Sequence, residues 1–186
     1  MPVPAFLPIT TARLVLRSLQ RADADTLFFY RALPEVNQYQ GFAAANEQQQ
    51  AVFWQMLAEQ PDLPDSWFQL AICLAENQTM IGDLGLHFLT DTAQVEIGIT
   101  LAPAFQGRGY ASEAMSAVFD YLFTHLHKHR ITASIDPRNL KSIALVRKMG
   151  MRQEGHFIKS FKAGEEWFDD LYFALLEEEY HAFPKP

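Results

Sequence analysis

The tightest constraint on the fold is one run, Gln106-Gly107-Arg108-Gly109-Tyr110-Ala111, set between an alternating segment and an amphipathic one. Before it, residues 93–101 carry Val95, Ile97, Ile99 and Leu101 against Glu96, Gly98 and Thr100, the period-two pattern of a strand that Pro103 stops. After it, Ala111, Met115, Val118, Phe119 and Leu122 recur at helical spacing and predict a helix over residues 109–126 with one buried face. Two glycines let backbone approach a ligand closely, and the first N–H groups of a helix have no intrahelical partner. Those donors, the positive end of the helix dipole and Arg108 together predict an anion site suited to a phosphate or pyrophosphate.

Two other phosphate loops are excluded. The P-loop of nucleotide hydrolases ends in Gly-Lys-Ser/Thr, a tripeptide this chain lacks. The dinucleotide fingerprint has a third glycine three residues after Gly109, where Ser112 stands, and needs a parallel β-α-β setting.

The rest of the chain supplies a matching frame. Residues 3–8 form a Pro-punctuated, extended leader, 13–17 a first strand and 21–31 a helix. Asn46, with Gln49 three residues on, caps a second helix through Val52, Phe53, Met56 and Leu57, closed by Pro61 and Pro64. Residues 67–75 and 80–89 are strands joined by the turn Glu76-Asn77-Gln78-Thr79. Residues 129–135 make a short strand ended by Asp136-Pro137. A helix over 139–148 ends at Gly150, and strands 151–161 and 166–176 meet at Lys162-Ala163-Gly164. This order predicts an α/β (α+β) chain with a single domain over residues 1–186. It implies one mainly antiparallel sheet of about seven strands and about four helices.

Composition narrows the function. With 186 residues, 49% of them hydrophobic and 20% charged, a full core is affordable. A net charge of −7 argues against a nucleic-acid partner and suits a cationic substrate. Cys73, the one cysteine, lies in the apolar run Leu70-Ala71-Ile72-Cys73-Leu74, which predicts a buried inert thiol and excludes an internal disulfide. No basic leader or membrane-length apolar stretch occurs, so the expected location is cytoplasmic, with no membrane partner. His125, His127 and His129 straddle a helix end, where a dipole-facing role is expected rather than a metal site. Glu177-Glu178-Glu179 read as a solvated terminus. Glu165, Glu166, Asp169 and Asp170, with Trp54 and Trp167, are candidates for an amine-accepting cleft, a solvated hairpin being the plainer reading.

Val95-Glu96-Ile97-Gly98-Ile99 followed by Gln106-x-x-Gly109-x-Ala111 resembles the cofactor motif of the GNAT superfamily of acetyltransferases. Asn139-Leu140-Lys141-Ser142, with Lys148-Met149-Gly150-Met151, is similar to that superfamily's second motif. Thr11-Ala12-Arg13-Leu14-Val15-Leu16-Arg17 and Asp170-Leu171-Tyr172-Phe173-Ala174-Leu175-Leu176 resemble the ends of its ribosomal-protein N-terminal (alanine/serine) acetyltransferase-like branch, so the resemblance spans residues 11–180.

That resemblance implies a three-layer fold in which strand 93–101 splays from strand 129–135. Acetyl-coenzyme A is the implied co-substrate, with no metal. Its pyrophosphate would lie on Gln106, Gly107, Arg108, Gly109, Tyr110 and Ala111, and its pantetheine in the gap near Asn139 and Ser142. Backbone N–H groups at Ile97, Gly98 and Ile99 would polarise the acetyl carbonyl while a primary amine attacks directly. The resemblance also assigns roles where this chain departs from the family. Val146 stands where many members have the Tyr that protonates the leaving thiolate, and Ser142 is the substitute, by a hydrogen bond to sulfur. Ser142 equally suits a helix start. Glu154 matches the branch's proposed base, Glu96 competes for that role from the sheet face opposite Val95 and Ile97, and an ordered water is a third possibility. The implied acceptor is a protein N-terminal α-amine or a small amine, and the implied assembly a monomer or homodimer. The alternative is a coenzyme A-binding sensor or interaction module, favoured by Val146 and opposed by Asn139, Ser142 and Glu154.

Overall fold

The computed structural model describes residues 7–40 and 46–182; most of the predicted leader, residues 3–6, lies outside the described residues. Eight strands form one sheet in the order β1-β2-β3-β4-β5-β6-β8-β7. They are β1 (Ile9–Thr10), β2 (Leu14–Ser18), β3 (Ser66–Leu74), β4 (Met80–Phe88), β5 (Gln94–Leu101), β6 (Arg130–Ile135), β7 (Arg152–Ala163) and β8 (Glu166–Leu176). The helices are α1 (Ala24–Arg31), α2 (Pro34–Asn37), α3 (Glu47–Met56), α4 (Tyr110–Asp120), α5 (Leu140–Lys148) and α6 (Glu177–Ala182). The mixed, mainly antiparallel sheet is the expected fold, with one short strand and two short helices more than the hydrophobic periods show.

Local chemistry explains the boundaries. The Asn46 side chain accepts the Gln49 N–H at 2.9 Å and so starts α3. Asn139 accepts the Ser142 N–H at 3.1 Å and starts α5, which Gly150 closes at a φ of 84° after Arg147 and Lys148. The helix expected over 109–126 changes character at Asp120. Residues Tyr121–His125 make one wider turn, closed by the Leu126 N–H on the Tyr121 carbonyl five residues back. Tyr121, Leu122 and Phe123 are all buried there. Three consecutive residues sweep about 200° of an ideal α-helix, so a regular helix would aim one of them away from the core.

The sheet has helices on both faces. On one, Leu70, Leu84, Leu86, Val95, Ile97, Ile131, Ala133 and Phe173 share a core with Met115, Val118 and Phe119 of α4 and Ile143 and Val146 of α5. On the other, Ala71 and Cys73 pack with Leu27, Phe28 and Tyr30 of α1 and Phe53 of α3. Cys73 is buried, as its apolar run predicts.

Among the described residues, β5 and β6 are the one pair of neighbouring strands that run parallel, and their pairing is the shortest between long strands. β5 and β6 match only at Gln94 with Arg130, Val95 with Ile131 and Glu96 with Thr132. Beyond Glu96 the two strands diverge, while β5 stays paired with β4 along its whole other edge, from Val95 opposite Phe88 to Leu101 opposite Gly82. Among the described residues, Ile97–Leu101 therefore present a backbone edge with no strand against it.

Candidate active site

The divergence opens a cleft of about 710 Å³. Its lining comes from both faces of the sheet. Ile97, Ile99, Met115, Ala133, Leu145 and Val146 belong to the α4–α5 side, and Trp67, Gln69, Glu96, Gly98, Thr100 and Asp170 to the α1–α3 side. Alternation along each strand makes this unavoidable: neighbours such as Ile97 and Gly98 face opposite ways. The cleft thus reaches both faces of the sheet.

On the α4 side the glycine loop leaves its backbone open where the sequence predicts an anion site. Gly107 and Gly109 have φ of 73° and 80°, a left-handed backbone that favours glycine. A Cβ on Gly107 would meet nothing within 4 Å, so the loop is open to a close ligand. Gly109 is the residue before α4, and among the described residues no side chain caps that helix. Arg13 braces the loop from below: its Nη1 donates to the Arg108 carbonyl at 3.1 Å, it pairs with Glu113 at 2.6 Å, and it stacks 4.5 Å from the centre of the Tyr110 ring. Two lysines of α5 converge on the same place. Lys141 Nζ lies 3.4 Å from Gln106 Oε1 and Lys148 Nζ 3.4 Å from Ser112 Oγ. The open Gly107, the uncapped helix start and these cations fit the pyrophosphate of coenzyme A. Gln106 is partly turned inward, its amide donating to the Leu101 carbonyl at 3.0 Å.

Farther in, Asn139, Ser142 and Val146 line the cleft, as do Ile97, Gly98 and Ile99. A Cβ on Gly98 would also meet nothing within 4 Å. Val146 is buried and apolar, and Ser142 is the α5 hydroxyl on this wall.

The α1–α3 side carries the polar groups. Asp83, fully buried, accepts hydrogen bonds from Tyr30, Arg31 and Gln69. Arg31 Nη1 then donates to Gln40 Oε1 at 3.1 Å, and Gln40 Nε2 to Thr100 Oγ1 at 2.9 Å, tying α1 and the segment after α2 to the cleft floor. Glu96 lines the cleft, and burial, with the nearby charge of Asp170, holds its carboxyl above the usual range despite the opposing influence of His87. Burial likewise raises Asp170, which accepts from Ser134 Oγ at 2.8 Å.

Glu154 is placed elsewhere. It is ion-paired with Arg130 at the first position of β6, where the sheet is closed, and with Arg152 at 2.5 Å, and it does not line the cleft. The Arg130 hydrogen bond leads the influences that hold its carboxyl below the usual range, the reverse of what a base near neutrality needs.

The structure also divides the acidic hairpin. Asp169 and Asp170 line the cleft, whereas Glu165, Glu166 and Trp167 do not, and Trp54 packs against Phe28 and Phe53. Glu179 is not simply solvated, since it accepts from the Leu176 N–H at 2.8 Å. His125 stacks on Tyr121, and among the described residues no group of three or more His, Cys, Asp or Glu side chains is arranged to hold a metal. Arg13, Lys141, Lys148 and Asp170 were not legible as one site in the sequence. The one local signal is Lys141 and Lys148, seven apart and so on one face of α5.

Residues 13–152 match the family model of the acetyltransferase (GNAT) domain, three quarters of the chain. The chain belongs to the GNAT acetyltransferases. It is similar to YnaD, an uncharacterised N-acetyltransferase of Bacillus subtilis (strain 168), at 32% identity over 173 residues, 93% of this chain and 99% of that one. A crystal structure of a GNAT-family acetyltransferase from Bacillus anthracis superposes with a TM-score of 0.81 at 29% identity, covering 91% of this chain and 98% of that one. The fold is also that of spermidine N-acetyltransferase from Vibrio cholerae, solved with CoA and spermine, at a TM-score of 0.79 and 21% identity, covering 92% and 99% of the two chains. This GNAT protein is an acetyl-CoA-dependent N-acetyltransferase. No helix of its described residues is long and apolar enough to cross a membrane.

Proposed function

We propose that this acetyltransferase acts on a cationic primary amine that enters from the α1–α3 side, with Glu96 as the base. The observation that carries this reading is a cleft lined from both faces of the sheet, with the carboxylates of Glu96 and Asp170 on its α1–α3 side; the glycine loop at the start of α4 lies outside that lining. The two guanidinium groups in the lining already have carboxylate partners, Arg31 with Asp83 and Arg138 with Asp136. Glu96 and Asp170, both raised by burial, gain most from an incoming cation. Trp67, Phe161 and Phe168 add apolar walls for an aliphatic arm. A polyamine is the acceptor type that this combination favours over a protein N-terminal α-amine, and the spermine named with the Vibrio cholerae structure is of that class.

Acetyl-CoA supplies the acyl group as an activated thioester. The chain's own residues do the rest. The glycine loop, Arg108, Lys141 and Lys148 hold the phosphates, and Asn139 shapes the wall of the cleft. Backbone N–H groups of the unpaired β5 edge at Ile97–Ile99 face developing negative charge. Glu96 removes a proton from the ammonium, and the Ser142 hydroxyl steadies the departing sulfur. A cytoplasmic location suits this chemistry and the buried free thiol of Cys73.

Thiol release measured over a panel of polyamines, amino-acid amides and N-terminal peptides tests the acceptor class. Polyamines should show the highest kcat/KM, and a preference of tenfold or more for peptides would overturn it.

A further inference from the structure

A base on the wall of a cleft that two reactants fill must hand its proton on before the next turnover, and β4 carries the group to receive it. We propose that His87 and Asp65 form a proton exit from Glu96 to solvent, an inference that rests on Glu96 being the base. The β4–β5 register sets His87 directly opposite Glu96 and the β3–β4 register sets Trp67 opposite His87. His87 Nδ1 lies 3.9 Å from Glu96 Oε2, and His87 Nε2 lies 3.5 Å from Asp65 Oδ1. Contacts of this length close by a small rotation, as catalytic hydrogen bonds do when substrate binds. The imidazole is stacked on Trp67 with ring centres 4.7 Å apart and planes 5° from parallel, so its two nitrogens are kept aimed at the two carboxylates. The side chains of Glu96, His87 and Asp65 are 30%, 21% and 77% exposed, so the series ends in solvent at Asp65. Glu96 and Trp67 line the cleft, whereas His87, set between them on β4, does not. The charged groups facing His87 are Glu96 from β5 and Asp65 from the segment before β3; Glu96 additionally feels Asp170 from β8.

The chemistry balances. Acetylation of an ammonium removes two protons from nitrogen, one ending on the thiol and one released. The released proton leaves nitrogen as an O–H bond forms at Glu96. It passes to His87 Nδ1, while the Nε2 proton leaves to Asp65 or to water there, and Glu96 returns as a carboxylate. An imidazole gains and loses protons near neutral pH, which lets it serve between a carboxyl and water.

The test uses two variants of the full chain. His87→Ala opens a space beside Glu96, and His87→Phe keeps a ring to stack on Trp67 but carries no proton. Both should bind acetyl-CoA as the unaltered protein does, with kcat lowered roughly tenfold to a hundredfold. Added imidazole at constant pH and ionic strength should restore the rate of His87→Ala and leave His87→Phe unchanged. An unimpaired His87→Ala, or a loss that imidazole does not relieve, would overturn the exit. Glu96→Gln separates the two ideas. If it is active, the base assignment falls and the exit with it; if it is inactive while His87→Ala is unimpaired, the exit alone falls.

Discussion

At the scale of single residues, Glu96 and Glu154 show how surroundings divide two carboxylates that the sequence left equal. Glu96 is raised by burial. Between the ordinary glutamate range near pH 4.3 and its own higher value, the folded chain binds more protons than the unfolded one. Ionised Glu96 therefore costs stability, and the cost grows as pH rises through that window. Glu154 is lowered by Arg130, so its contribution is present above the ordinary range and is lost as pH falls through its folded value. Two opposite outcomes follow. Glu96→Gln should abolish the acidic limb of the pH–rate profile and nearly all turnover, yet unfold at the same temperature or higher at pH 7. Glu154→Gln should keep turnover within about twofold and lose about 1 kcal/mol, a fall of about 2–4 °C in melting temperature. Rate profiles and thermal melts on the same two proteins read both, and a silent Glu96→Gln beside a crippled Glu154→Gln would reverse the assignment. Alternation in the sequence already put Glu96 on the face opposite Val95 and Ile97. It could not show that Arg130, twenty-four positions before Glu154, would claim the latter, because that contact depends on the order of β6, β8 and β7.

At the scale of elements, the start of α4 combines two demands that one substitution can separate. Gly109 needs a left-handed backbone and also leaves the helix N–H groups uncovered. Gly109→Asp should weaken acetyl-CoA binding by about a hundredfold or more, since a carboxylate there repels the pyrophosphate; titration calorimetry reads the affinity. Gly109→Asn tolerates the same backbone better than most residues and carries no charge, so it should bind more tightly than the aspartate variant. Equal affinities for the two would mean that backbone strain, not charge, governs the loop. This element was the most legible part of the chain, because strand, glycines and helix are contiguous. The wider turn at Tyr121–His125 was not, since a hydrophobic period averaged over the helix hides three consecutive buried residues. His87 was hidden for a different reason: its partner Glu96 is reached across a hairpin, and only the β4–β5 register brings them together.

At the scale of the whole molecule, the sequence conveyed the layers and missed the assembly of the basic cluster beside the glycine loop. Lys141 and Lys148 come from α5 and Arg13 from just before β2, and nothing local links them to residues 106–111. The cleft between β5 and β6 has a kinetic meaning. Its lining belongs to both sides of one sheet, so a donor held on the α4–α5 side would leave the α1–α3 side open, and neither reactant need depart before the second arrives. With the one cysteine buried at Cys73, no thiol waits to carry the acetyl group between half-reactions. Initial rates at several fixed acetyl-CoA concentrations should therefore give intersecting double-reciprocal lines, with parallel lines the contrary result. A sheet that stops zipping three residues along is, in kinetic terms, a two-sided chamber in which both reactants meet at once.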